Sequence, residues 1–193
     1  MPLPDTIRRI VLTGFMGAGK STVGPLLAQS LGWEFLDIDT AVECRAGKTV
    51  AEIFAQQGEA AFRALEAKAI RDYSCCEQLV LALGGGAVEM ESTRELLKSL
   101  DRTAVLFLEA PLDVLIARCL AQNGDQPHTS VRPVLADRKM LLRRFQQRLP
   151  HYRAAHLTVT TAGDSPQAVT TRILQTLAPR CVRSKTAKGV STR

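Results

Sequence analysis

Short apolar runs recur along the chain, and between them lie longer stretches in which apolar residues return every three or four positions. The runs predict strands at Ile10–Thr13, Glu34–Asp37, Leu79–Leu83, Ala104–Leu108 and Leu157–Thr160. The periodic stretches predict helices at Lys20–Leu31, Val50–Gln57, Glu59–Cys75, Ser92–Ser99, Pro111–Gln122, Arg138–Leu149 and Pro166–Leu177. The strand runs are short and mostly apolar rather than alternating, so both faces are expected to be buried. Strand and helix also alternate along the chain. Together these features predict an α/β fold with a central parallel sheet covered on both faces. In such sheets ligands bind outside the carboxyl ends of the strands.

One segment breaks the pattern. Ala121 to Asp137 reads AQNGDQPHTSVRPVLAD, a long polar stretch between two helices. A stretch of this length is unusual in a compact domain unless it is functional, and it is expected to form a mobile lid over about 122–137. No internal repeat or linker divides the remainder, which predicts a single domain over 1–179. The end of the chain, 180–193, is rich in Ser, Thr, Lys and Gly and has the composition of a disordered, solvated tail.

Charge sharpens this division. The net charge is +6, but Arg180, Arg183, Lys185, Lys188 and Arg193 contribute five positive charges in the tail with no acid beside them, which leaves about +1 for the body. The basic balance belongs to the tail, so no nucleic-acid partner is implied. No apolar run approaches the roughly 18 residues of a membrane helix, and Met1–Arg9 lacks the apolar core of a secretory signal, so a cytoplasmic monomer with no membrane partner is expected. Cys44, Cys75, Cys76, Cys119 and Cys181 form neither a C-x-x-C pair nor a metal-ligand spacing, which fits reduced thiols. Cys75 and Cys76 are expected to be small buried residues at a helix end.

The chemistry begins at Gly14–Ser21, G-F-M-G-A-G-K-S, a complete phosphate-binding loop of the form G-x-x-x-x-G-K-[ST]. A predicted strand precedes it and a predicted helix follows. The glycines allow backbone N–H groups to turn onto phosphate oxygens, and the helix N-terminus adds partial positive charge. Gly17, Ala18, Gly19, Lys20, Ser21 and Thr22 form the expected nucleotide contact, with Lys20 reaching the β- and γ-phosphates and the Ser21 hydroxyl on Mg²⁺. ATP is thus the expected co-substrate.

Three further clusters are each ambiguous alone. Asp37 and Asp39 end a strand, where one carboxylate can serve Mg²⁺ and the other a substrate hydroxyl, or both can form a turn and helix cap. Gly84-Gly85-Gly86 either brings backbone close to a ligand or only makes a tight turn. Arg63 and Glu66 share a helical face, as a surface ion pair or as an arginine anchored to meet an anion. Arg132 and Arg148 are two more such arginines, with planar forks suited to carboxylate and phosphate.

Taken in order, G-F-M-G-A-G-K-S-T, F-L-D-I-D, A-E-I-F-A-Q-Q-G-E-A-A-F-R-A-L-E, L-G-G-G-A, V-R-P-V-L and R-L-P-H-Y resemble the shikimate kinase family from about Ile10 to about Leu177. The resemblance implies a three-layer α/β/α fold of the P-loop NTPase, nucleoside monophosphate kinase-like type. It also implies transfer of the ATP γ-phosphoryl to the 3-hydroxyl of shikimate, in aromatic amino-acid biosynthesis. Carried over by position, Asp39 binds the shikimate hydroxyls and is the candidate base, and Asp37 joins Ser21 around Mg²⁺. Arg63 and Arg148 hold the shikimate carboxylate, and Gly84, Gly85 and Gly86 line the substrate site. Arg132 faces the transferring phosphate, while Arg118 and the loop before Pro166 flank the adenine. Two features depart from the pattern: the lid is longer than in compact members, and Thr160 stands where an Asp is often found.

Overall fold

The computed structural model describes residues 6–124 and 138–178. Five parallel strands form one sheet in the order β2-β3-β1-β4-β5, with β1 at Arg9–Thr13, β2 at Glu34–Asp37, β3 at Leu79–Ala82, β4 at Thr103–Glu109 and β5 at Leu157–Thr160. The seven described helices are α1 (Lys20–Leu31), α2 (Ile38–Ala46), α3 (Val50–Tyr73), α4 (Glu91–Ser99), α5 (Leu112–Gly124), α6 (Arg138–Arg153) and α7 (Pro166–Leu177).

The apolar runs of the three central strands mean what they predicted, whereas the edge strands β2 and β5 are only partly buried. β1, β3 and most of β4 are buried along their whole length. Their side chains divide between two cores. Ile10, Leu12, Val80 and Leu106 pack with Val23 and Leu27 of α1, Leu115 of α5 and Val169 and Ile173 of α7. Val11, Leu79, Leu81 and Val105 pack with Ile38 and Val42 of α2, Ile53, Phe62 and Ile70 of α3 and Leu97 of α4. The result is the expected α/β/α sandwich.

Several boundaries differ from expectation. The helix α2 was absent from the pattern. It starts at Ile38 without any intervening turn, because Asp37 is both the last strand residue and its N-cap. The split between the helices expected at Val50–Gln57 and Glu59–Cys75 is a kink in α3 at Gly58, where φ is +82°. The helix α6 runs through Pro150 to Arg153 instead of ending at Leu149. Cys75 and Cys76 are exposed, not buried, because α3 stops at Tyr73 and they lie in the turn beyond it. The expected lid from 125 onward with its Arg132, the tail 180–193 and Cys181 all lie outside the described residues. No described helix is long and apolar enough to cross a membrane.

Candidate active site

Register brings three loops to one edge. Leu12 of β1 and Asp37 of β2 both pair with Ala82 of β3, so β1, β2 and β3 end at the same level. The glycine loop after β3 therefore lies between the phosphate loop after β1 and the acidic pair after β2.

The phosphate loop is built for an anion. Gly19 caps α1 in a left-handed conformation, without a side-chain cap and with no acid in the first turn. No side chain therefore covers the start of α1, and no carboxylate competes for the positive helix end. Gly17 must be glycine on two counts. Its φ is +76°, and a Cβ there would stand 2.5 Å from the Leu115 carbonyl oxygen. Lys20 Nζ donates to the carbonyls of Gly14 (2.8 Å) and Phe15 (3.1 Å), which holds its charge over the loop.

Ser21 and Asp37 meet as expected, with Ser21 Oγ donating to Asp37 Oδ2 at 2.8 Å. Two hard oxygen donors in a partly open position fit Mg²⁺, which takes few protein ligands and keeps its waters and phosphates. The turn reading of the acidic pair holds as well, since Asp39 N–H donates to Asp37 Oδ1 at 3.1 Å. One carboxylate oxygen of Asp37 caps the helix while the other reaches Ser21.

Each glycine of the triplet makes room for a different charged group. A Cβ at Gly84 would lie 2.2 Å from Glu66 Oε1 and 2.8 Å from Asp39 Oδ1. At Gly86 it would lie 2.1 Å from Arg63 Nη2. At Gly85 it would lie in open contact, 3.7 Å from Gly14 O and Met16 N and 3.8 Å from Arg148 Nη1. Backbone of the triplet thus bridges the phosphate loop, the acids and both arginines.

Arg63 is an anchored arginine, not a surface one. Its Nη1 donates to Glu66 Oε2 at 2.7 Å and its Nη2 to Glu59 Oε1 at 3.1 Å. Burial works against its charge, but the carboxylates of Glu66 and Glu59 outweigh that and keep it firmly cationic. Glu66 is buried, and burial pushes its carboxyl above the usual range, with Arg63 pulling it back and Asp39 adding to the rise. Arg148, from α6, is also buried, with its guanidinium over the Phe15 ring at 5.6 Å.

Arg118, expected beside the adenine, bonds to Thr161 and reaches the phosphate loop. Its Nη1 donates to Thr161 Oγ1 at 2.9 Å and its Nη2 to the Thr161 carbonyl at 2.5 Å, and its Nη1 is 3.4 Å from the Gly17 carbonyl. It ties the phosphate loop to the loop that leads to Pro166, the first residue of α7 after the Ser165 cap.

Sequence reasoning missed two residues here. Tyr152 is fully buried, its ring stacks on Phe107 at 5.2 Å, and its hydroxyl donates to the Gly85 carbonyl. Burial raises its pKa well above the ordinary phenol value, so it stays a donor. Glu89 accepts from Arg148 Nε at 2.9 Å and Nη2 at 3.2 Å. Tyr152 follows Arg148 by one helical turn, a spacing that would have flagged it had α6 been extended past Pro150. Nothing in the local sequence around Glu89 marks it.

Comparison with known proteins gives one consistent result. A family profile described as shikimate kinase matches residues 16–178. A shikimate kinase of Psychrobacter cryohalolentis is 40% identical over 92% of this chain and 93% of its own length. One from Persephonella marina is 38% identical over 87% of this chain and 98% of its own. Among solved structures, the shikimate kinase from Acinetobacter baumannii in complex with shikimate is 36% identical, with a TM-score of 0.79 over 89% of this chain and 93% of that one. The shikimate kinase from Aquifex aeolicus is 35% identical, with a TM-score of 0.75 over 88% of this chain and 95% of that one.

Proposed function

The chain belongs to the shikimate kinase family, and we propose that it transfers the γ-phosphoryl group of ATP to the 3-hydroxyl of shikimate, giving shikimate 3-phosphate and ADP. The observation that carries this reading is the meeting point at Gly85, where one position lies within 4 Å of both the phosphate-loop backbone and Arg148. A phosphoryl donor on the loop and an anionic acceptor on the arginine would share one cleft, as direct transfer requires. The shikimate-bound Acinetobacter enzyme supports the choice of acceptor.

In this reading Gly17, Ala18, Gly19, Lys20, Ser21 and Thr22 hold the phosphates, and Arg118 with the loop before Pro166 flanks the adenine. Ser21 and Asp37 would hold Mg²⁺, which when bound supplies neutralising charge to the phosphate oxygens. Arg63 and Arg148 grip the shikimate carboxylate, and Gly84, Gly85 and Gly86 offer backbone groups to the ring. Asp39 accepts a hydrogen bond from the 3-hydroxyl and takes its proton as that oxygen bonds to the γ-phosphorus and the bond to the β-phosphate oxygen breaks. Arg132, assigned by the resemblance alone, adds positive charge beside the transferring group. Positioning and charge dominate such a reaction, and the residues assembled here supply those two things.

A coupled ADP-release assay tests the proposal with shikimate and gluconate in turn, each with and without Mg²⁺. Turnover is expected only with shikimate and Mg²⁺. Turnover with gluconate instead would reassign the acceptor, and no turnover with either would reduce the chain to a nucleotide-binding module.

A further inference from the structure

Arg148 already grips a carboxylate. Glu89 ends the short 3-10 turn at Ala87–Glu89, three residues past the glycine triplet. Its two oxygens face Arg148 in parallel, Oε1 to Nε at 2.9 Å and Oε2 to Nη2 at 3.2 Å. This is the two-point geometry that a substrate carboxylate would itself use on an arginine fork.

The two substrate arginines differ in their counter-ions. The partners of Arg63 lie on its own helix, and Glu66 is 1% exposed, so that pair is permanent structure. The Glu89 side chain is 37% exposed while that of Arg148 is 6% exposed. The backbone of Glu89 is fixed independently, since Arg94 Nη1 donates to the carbonyls of Val88 (2.9 Å) and Glu89 (2.7 Å). Its side chain can therefore swing toward water without disturbing the turn. Burial pushes the Glu89 carboxyl up, but the Arg148 hydrogen bond and charge, with Arg63 and Arg144 behind them, outweigh this and hold it below the usual range. It is thus an ionised competitor.

We propose that Glu89 is an exchangeable internal counter-ion: it occupies the fork of Arg148 in the empty site and gives way to the carboxylate of the substrate, so that it sets the affinity for the anionic acceptor. The proposal rests on reading Arg148 as the carboxylate anchor. Glu89 spares the free protein an unpaired buried cation, and a carboxylate must displace it to bind. If the pair is closed in about four of five free molecules, opening it for good raises affinity roughly fivefold.

The test is calorimetric titration of the full chain with shikimate and with the neutral carboxamide of the same ring. Glu89→Gln is expected to bind shikimate roughly fivefold more tightly, to bind the carboxamide as the parent does, because a neutral group does not displace the ionised Glu89 from the fork, and to melt at a lower temperature when free. Tighter binding combined with lower stability is not what a merely structural residue gives. Glu89→Ala should show the same signs and replaces the glutamine variant if that fails to fold. Unchanged or weaker shikimate binding in a folded Glu89 variant overturns the proposal. Arg148→Ala separates the two layers. If it binds shikimate weakly while Glu89→Gln gains nothing, only the counter-ion role falls; if it binds like the parent, the anchor assignment falls with it.

Discussion

One methyl group at Gly86 probes Arg63, a proposed substrate arginine, without replacing it. The backbone there lies at φ −100° and ψ −4°, which any residue adopts. Alanine therefore adds no backbone strain, and by restricting the unfolded chain it favours the fold by about 0.4–1 kcal/mol. Its Cβ would stand 2.1 Å from Arg63 Nη2, 2.5 Å from Cζ and 2.8 Å from Nη1, whereas ordinary contact begins at 3.4 Å. The guanidinium must retreat by more than an ångström. Its stem is flexible enough to do so, but its 2.7 Å bond to the buried Glu66 is then strained or lost. The loss, about 1.5–3 kcal/mol for a charge-assisted hydrogen bond, exceeds the gain, so the melting temperature should fall by a few degrees. Binding has no such compensation. A charge-assisted hydrogen bond is worth about 1.5–3 kcal/mol, so displacing Arg63 should raise KM for shikimate roughly 10- to 100-fold. KM for ATP should hardly change, because the phosphate loop is not displaced. Steady-state kinetics with each substrate varied in turn, beside thermal melts, decide the matter. A well-folded Gly86→Ala variant with unaltered KM for shikimate would refute the placement of Arg63 at the acceptor.

Other perturbations sort the remaining roles. Lys20→Ala should leave the melt unchanged, since its hydrogen bonds run to loop carbonyls rather than into the core, and should lower kcat by about 100-fold or more; near-parental turnover removes the phosphate-loop assignment. Asp39→Asn keeps the backbone N–H that Asp37 caps, so α2 should start as before and ATP should still bind, while kcat falls by roughly 100- to 10,000-fold; retained activity would make Asp39 a turn residue only. Tyr152→Phe removes the hydroxyl that meets Gly85 and should cost about 1–2 kcal/mol, visible as a melting point several degrees lower with a raised KM for shikimate. An unchanged melt would mean that the triplet holds itself in place.

The three central strands were legible because apolar runs such as Leu79–Leu83 and Ala104–Leu108 have few other uses, and the structure extends or trims them by a residue or so at their ends. The phosphate loop was legible because its chemistry is local: backbone, lysine and hydroxyl all come from one eight-residue stretch. The helix α2 was not, for two reasons. It follows β2 with no turn between them, and its segment IDTAVECRA has no strong apolar stripe. The pairing of Arg63 with Glu66 could be seen from spacing along one helix, but its burial could not, because burial comes from the glycine triplet and Asp39 closing over it.

Pro150 shows most directly why the rest was hidden. A proline within a helical pattern predicts an end, since it lacks an N–H and crowds the preceding turn. Here α6 continues past it to Arg153. Pro150 is exposed, and so is Gln146, the residue whose carbonyl loses its partner, so water can satisfy that carbonyl. The local loss is outweighed by what the next turn buries. Tyr152 is fully enclosed, stacks on Phe107 of β4 and donates to Gly85. Extension by this turn also sets Tyr152 four residues after Arg148, on the same face of α6. One face of one helix thus holds both the arginine that meets the glycine loop and the hydroxyl that fixes that loop. Local propensity argued for stopping at Leu149; the packing of a single aromatic ring argued for going on, and the hydroxyl that meets the glycine loop beside Arg148 is in place because packing prevailed.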